Sequence, residues 1–169
     1  MNIRAAVEAD AAHLSALALR AKAQWGYAPE VLEAWRSELA ITPDTIRSKP
    51  TFVAVLEEKI AGFYSLLPSQ TSWELAHLWV SPESMHRGIG RALLTHAVET
   101  ARRGGAFEVT VDADPNAEPF YVQSGAIRRG VVAAPIPGQP QRVRPLFAFT
   151  TSATQQGAPA DPRKKRAGG

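Results

Sequence analysis

With 169 residues, 45% hydrophobic and 21% charged, the chain has the size and make-up of one soluble globular domain with a core of its own. It contains no cysteine, which excludes a disulfide framework, a thiolate metal site and a cysteine nucleophile. The net charge of +3 resides in the tail: through residue 150 acidic and basic side chains cancel, and Arg163, Lys164, Lys165 and Arg166 outweigh Asp161, so nucleic acid is not the expected partner. No apolar run approaches the roughly 18 residues of a membrane span, and the opening MNIRAAVEAD lacks the basic-then-apolar order of a signal peptide; the expected location is the cytoplasm, with no membrane partner.

The first periodic segment, DAAHLSALALRAKAQ, predicts a helix capped by Asp10 with Leu14, Leu17 and Ala18 on one face. After WGYA, the stretch PEVLEAWRSELA predicts a second helix, opened by Pro29 and striped by Val31, Leu32, Trp35 and Leu39. TFVAVLEE and AGFYSLL read as two strands joined by a turn around Glu58-Lys59, and WELAHLWV as a third, all antiparallel neighbours. Then come the loop SPESMHR, the helix GRALLTHAVETARR ending at Gly104-Gly105, and the strand FEVTVDA. A short helix near EPFYVQS, stopped by Gly125, precedes strands near AIRRGVV and VRPLFAFT. The fold class is α/β, a mixed and mostly antiparallel sheet flanked by helices, with one parallel strand–helix–strand unit from Leu75 to Val111. Residues 1–150 form the domain. The stretch 151–169 is rich in small residues and Pro and reads as a disordered basic tail.

Within MHRGIGRALL, Gly88 and Gly90 sit between a buried strand and the first turn of the crossover helix. A helix N-terminus presents unpaired N–H groups and partial positive charge, and glycines let an anion reach them, so the natural ligand is a phosphate or pyrophosphate; taken alone, the pair fits a purely structural tight connection equally well. A P-loop is excluded because Arg91-Ala92 follows the second glycine where Lys-Ser/Thr is needed. A dinucleotide site gains from Asp112 at the end of the next strand. It loses on Leu93 at the third glycine position and on the seven residues, Ser81 to Arg87, that separate strand from glycine.

The stretch ELAHLWVSPESMHRGIGRALL resembles the central motif of the GNAT superfamily of acyl-CoA N-acyltransferases, whose Gln/Arg-x-x-Gly-x-Gly/Ala segment cradles the pyrophosphate of coenzyme A. ADPNAEPFYVQSGA resembles the second signature of the same family, and the likeness in element order runs from about residue 2 to 150. The resemblance implies acetyl-CoA as acyl donor and an amine as acceptor. It implies pyrophosphate binding by Arg87, Gly88, Ile89, Gly90, Arg91 and Ala92, and docking of the coenzyme arm along the backbone of Leu78, Trp79 and Val80. Met85 stands where the family has Gln/Arg, and Asp114 where it has Asn. Asp114 still accepts from the N–H groups of the turn that follows and is counted with the coenzyme site.

Without cysteine or a Gly-x-Ser-x-Gly elbow, direct attack in a ternary complex is the expected chemistry. The resemblance implies Tyr121 as the donor to the departing thiolate and Glu74 as the base, with His77 as the other base candidate. An ordinary carboxylate lies about 6 pK units below an alkylammonium, about 8 kcal/mol, so it works through water or on the more acidic tetrahedral adduct. His13, His86 and His96 lack metal-ligand spacing, and no metal is expected. The resemblance implies that Trp25 and Tyr27, with help from PIPGQPQ, form the acceptor pocket; the equal alternative is that the two rings simply cover the core. A homodimer is compatible with the sequence. A non-catalytic acyl-CoA-binding sensor or subunit of the same fold is the alternative function, and a dinucleotide-binding oxidoreductase the distant third.

Overall fold

The computed structural model describes residues 1–152; the basic tail expected from residue 151 lies outside the described residues from 153 onward. The folded part extends one residue past the expected boundary. Thr151 is buried, its N–H donates to Phe107 O at 3.0 Å and its hydroxyl to Ala106 O at 2.6 Å.

Seven strands form one sheet: β1 (Asn2–Ala5), β2 (Thr51–Leu56), β3 (Lys59–Leu67), β4 (Ser72–Val80), β5 (Glu108–Asp112), β6 (Ile127–Ala133) and β7 (Val143–Thr150). Their order is β1-β2-β3-β4-β5-β7-β6, and only the β4–β5 pairing is parallel. This is the expected mixed, mostly antiparallel sheet; the four-residue β1 is an addition to the expected elements. The β2–β3 turn lies one residue earlier than expected, with Glu57 (φ 50°) and Glu58 (φ 63°) in the left-handed conformation that a two-residue hairpin demands.

Helix α1 (Ala11–Ala23) buries Leu14, Leu17, Ala18 and Ala21 as its spacing requires. Asp10 does not cap it with its side chain. Its carboxylate takes two hydrogen bonds from Arg4, at 2.8 and 3.2 Å, and one from Val7 N–H at 2.9 Å, closing the turn before the helix. The expected second helix divides into α2 (Pro29–Ala34) and α3 (Arg36–Leu39) at Trp35, a turn residue at φ −93° and ψ −1°. A further helix, α4 (Pro43–Ser48), is capped by Thr42, which accepts from Thr45 N–H at 3.0 Å.

The crossover helix α5 (Ile89–Arg103) buries Ile89, Leu93, Leu94, Ala97 and Ala101 against one face of the sheet. At ~1.5–3 kcal/mol for each fully buried Leu or Ile, this stripe anchors the helix and fixes where its N-terminus points. The opposite face carries a second cluster in which Leu14 and Leu17 meet Val53 and Phe63, with Trp35 and Trp79 packed against it. Helix α6 (Glu118–Gln123) follows β5, and the chain leaves it through Gly125 at φ 87°.

Candidate active site

Strand β4 pairs with β5 only through Ser72, Trp73 and Glu74, opposite Glu108, Val109 and Thr110. Beyond Glu74 the two parallel strands diverge, while β3 stays paired with β4 through Val80. One edge of β4 is thereby left open in mid-sheet. The register on the β3 side steps from Ser65–His77 to Leu66–Leu75, so Ala76 is an extra, bulged residue. The bulge reverses the alternation of the strand: Trp73 and Leu75, then Leu78 and Val80, join the α5-side cluster, whereas Trp79 packs on the α1 side.

The gap between β4 and β5 is a cleft of ≈ 880 Å³. Glu74 through Val80 form one wall and Val111 through Asp114 the other; the first turn of α5 closes one end, and Phe120 and Tyr121 from α6 line it as well. Of the residues expected from the sequence, the cleft gathers Trp25, Glu74, His77, Leu78, Trp79, Val80, Gly88, Ile89, Gly90, Arg91, Asp114 and Tyr121. Arg87, Ala92 and Tyr27 do not line it.

At the α5 terminus the two glycines have different reasons to be there. Gly88 is the N-cap at φ 76°, a conformation that strains any side chain, with open space where a Cβ would lie. At Gly90 a Cβ would approach the Phe120 ring to 3.3 Å and Val80 Cγ2 to 3.5 Å, so this glycine lets α5, α6 and β4 meet. The N–H of Ala92 already donates to Gly88 O at 3.1 Å. The N–H groups left without an intrahelical partner are therefore those of Ile89, Gly90 and Arg91. Arg87 is half exposed and pairs with Glu57 at 3.5 Å, and Arg91 reaches Gln123 O at 3.5 Å.

Tyr121 is 7% exposed, with its ring stacked on Phe147 (centroids 5.8 Å apart) and edge-on to Phe120 (5.1 Å). Its hydroxyl makes no hydrogen bond to the other described residues, and burial pushes its pKa well up, so the phenol stays protonated at any ordinary pH. Glu74 stands exposed at the point where β4 and β5 part. His77 is held differently: burial first, and the nearby Lys49 charge second, lower its pKa to about 4. Its Nδ1 accepts from Trp79 Nε1 at 3.2 Å, which places the ring proton on Nε2.

Asp114 ends the β5 wall and is committed to protein partners. Its Oδ1 accepts from the N–H and Nδ2 of Asn116 at 2.8 and 2.9 Å, so it does serve the turn after it, as expected. Its Oδ2 accepts from Lys22 Nζ at 2.6 Å and from the Tyr27 hydroxyl at 2.7 Å. Desolvation works to raise the Asp114 pKa, but the hydrogen bond and charge of Lys22 prevail and hold it low. Desolvation lowers that of Lys22 in spite of the pairing. Tyr27 further accepts from Arg142 Nη2 at 3.0 Å, and its ring meets Trp35 edge-on at 4.8 Å. Trp25, 39% exposed, lies at the rim. Lys22, Asn116 and Arg142 have no signal in the sequence: Lys22 lies 92 positions from Asp114, Arg142 is distant from it as well, and no local pattern marks a buried cation. Among the described residues no group of three His, Asp or Glu side chains is placed to hold a metal ion, and no helix is long and apolar enough to cross a membrane.

Residues 16–126 match the sequence profile of the acetyltransferase (GNAT) family. Among solved structures, a GCN5-related N-acetyltransferase from Rhodopseudomonas palustris superposes with a TM-score of 0.73 at 25% identity, covering 88% of this chain and 94% of that one. The PaiA N-acetyltransferase of Thermoplasma acidophilum, in complex with coenzyme A, gives 0.69 at 20% identity, covering 88% and 98%. A Salmonella typhimurium protein described as a putative acetyltransferase, with its cofactor acetyl-CoA, gives 0.67 at 18% identity, covering 94% and 97%. No curated protein sequence matches the chain significantly.

Proposed function

Because the chain belongs to the acetyltransferase (GNAT) family, we propose that it moves an acetyl group from acetyl-CoA to a primary amine of a small molecule or peptide by direct attack in a ternary complex, in the cytoplasm. The observation that carries this reading is the cleft opened by the divergence of β4 and β5, with the free α5 terminus at one end and the Tyr121 phenol within it. Proteins of the same fold have been solved holding coenzyme A or acetyl-CoA.

In this mechanism the N–H groups of Ile89, Gly90 and Arg91 receive the pyrophosphate, and Gly88 supplies the left-handed turn that aims them. The open edge of β4 at Leu78–Val80 pairs with the amides of the coenzyme arm, as an added strand would. A backbone N–H of that edge then meets the thioester oxygen, where such a donor contributes a few kcal/mol as negative charge develops. The amine nitrogen attacks the thioester carbon, the C–S bond breaks as the tetrahedral adduct collapses, and the nitrogen loses its proton to water held by Glu74. Tyr121 donates to the departing sulfur; a phenol kept protonated by burial is a hydrogen-bond donor at every working pH. His77, with its depressed pKa and occupied Nδ1, is the weaker base of the two.

Release of free thiol from acetyl-CoA in the presence of a panel of amines tests the proposal, and a chain without cysteine adds no thiol background. Amine-dependent release at a rate far above that without enzyme supports it. Tight acetyl-CoA binding with no release for any amine would leave only a binding protein.

A further inference from the structure

Two cations with largely buried side chains stand around a single carboxylate, where the cleft meets a second pocket. The side chains of Lys22 and Arg142 are 12% and 5% exposed and that of Asp114 is 6% exposed. Asp114 has nothing left to give. Its two oxygens already accept four hydrogen bonds, from Lys22, Tyr27 and twice from Asn116, and Arg142 Nη2 stays 3.6 Å from Oδ2. Arg142 spends its Nη atoms on Ala134 O and Tyr27, each at 3.0 Å, and its buried Nε has no acceptor. The aromatic faces around the two cations, with Trp35 4.5 Å from Lys22 Nζ and 5.4 Å from the Arg142 guanidinium, soften the surplus charge without neutralising it. A local net charge of one cation, desolvated and with an orphaned donor, is costly to keep unless something supplies the anion.

The place for that anion adjoins the cleft. A second pocket of ≈ 340 Å³ is lined by Tyr27, Gln139, Arg142 and Val143, and shares Trp25 and Asn116 with the cleft. A molecule with an anionic end in the smaller pocket would therefore extend its other end past Trp25 and Asn116 toward Tyr121. Coenzyme phosphates do not meet this need, since their donors are at the N-terminus of α5. We infer that the acceptor is an amine that also bears a carboxylate, and that Arg142, supported by Lys22, is the residue that selects it. The inference rests on the acetyl-transfer reading for the amine end alone. The cation surplus calls for an anion whether or not transfer occurs.

Calorimetry on the full-length protein saturated with coenzyme A tests it with N-acetyl amino carboxylates of increasing chain length, each against its matching carboxamide. The expected result is at least tenfold tighter binding of the carboxylate at the chain length that spans the two pockets. Arg142→Gln should abolish that preference and Arg142→Lys restore part of it. Should Arg142→Gln not fold, the comparison of acid with amide on the parent protein stands alone. Equal affinity for acid and amide, or no binding of either, overturns the inference. A carboxylate preference in binding without thiol release from any amine would sustain it and reject acetyl transfer instead.

Discussion

Ser72–Glu74 and His77–Val80 belong to one strand and differ in what lies on their β5 side. The first stretch is paired with β5 along its whole length, at Glu74 with β3 as well, and is backed by Trp73, which packs against the C-terminus of α5 at Gly104. The second is paired with β3 alone and borders the cleft. A sheet normally consumes every backbone N–H and C=O in its interior. Here the interior of a seven-stranded sheet withholds a partner from half a strand, and the bulge at Ala76 reverses the faces just there. The difference between the halves is between backbone used for stability and backbone left for a ligand.

Substitutions that separate the halves should separate stability from binding. Gly104→Val belongs to the paired half: its Cβ would come within 2.2 Å of the Trp73 ring. We expect a loss of about 3 kcal/mol and a fall in melting temperature of roughly 6–12 °C, with acetyl-CoA affinity per folded molecule retained. Gly90→Val belongs to the open half, where its side chain would press on Phe120 and stand among the α5 N–H groups. Calorimetry should show acetyl-CoA binding weakened by roughly 1–3 kcal/mol; unchanged affinity would make Gly90 a packing residue only. Tyr121→Phe keeps the ring against Phe147 and removes only the donor. Turnover should fall roughly 10- to 100-fold, about 1.4–2.7 kcal/mol, with acetyl-CoA affinity and melting temperature nearly unchanged. A variant that melts far lower yet turns over normally when folded would place Tyr121 in the core and outside the mechanism.

His77 gives a pH signature in stability and no expected change in acetyl-CoA binding. Its folded pKa of about 4 lies below the ordinary 6.5, so between those values the unfolded chain takes up a proton that the folded one does not. Its contribution is therefore fully present above about pH 6.5 and is lost as pH falls toward about 4, a matter of about 1–3 kcal/mol. Melting curves of the parent should show this decline, and His77→Gln should flatten it. An unaltered slope in the variant would assign the decline to other groups.

The sequence carried the strands, the crossover helix and the glycine turn because each is signalled by neighbours: alternation in TFVAVLEE, a helical stripe in GRALLTHAVETARR, glycines at a strand-to-helix junction. It did not carry the break at Trp35, since the apolar spacing from Val31 to Leu39 is that of one helix and only tertiary packing divides it. The position of Asp114 after β5 could be read, yet its partners could not: Lys22, Tyr27 and Arg142 come from a helix, a loop and a second loop that meet only in the folded molecule. Gly90 was legible as a close approach, but the approaching groups include Phe120 and Val80 as well as any phosphate. Divergence of β4 from β5 has no sequence signature here, because SWELAHLWV and EVTVD both mix polar and apolar residues from end to end and nothing in either marks where their pairing stops.

Hydrogen exchange of backbone amides with and without acetyl-CoA tests the contrast between the two halves of β4 most directly. Acetyl-CoA should slow exchange in Leu78–Val80 and at Ile89–Arg91, and leave Ser72–Glu74 as it was. No added protection at Leu78–Val80, with acetyl-CoA demonstrably bound, would contradict the account.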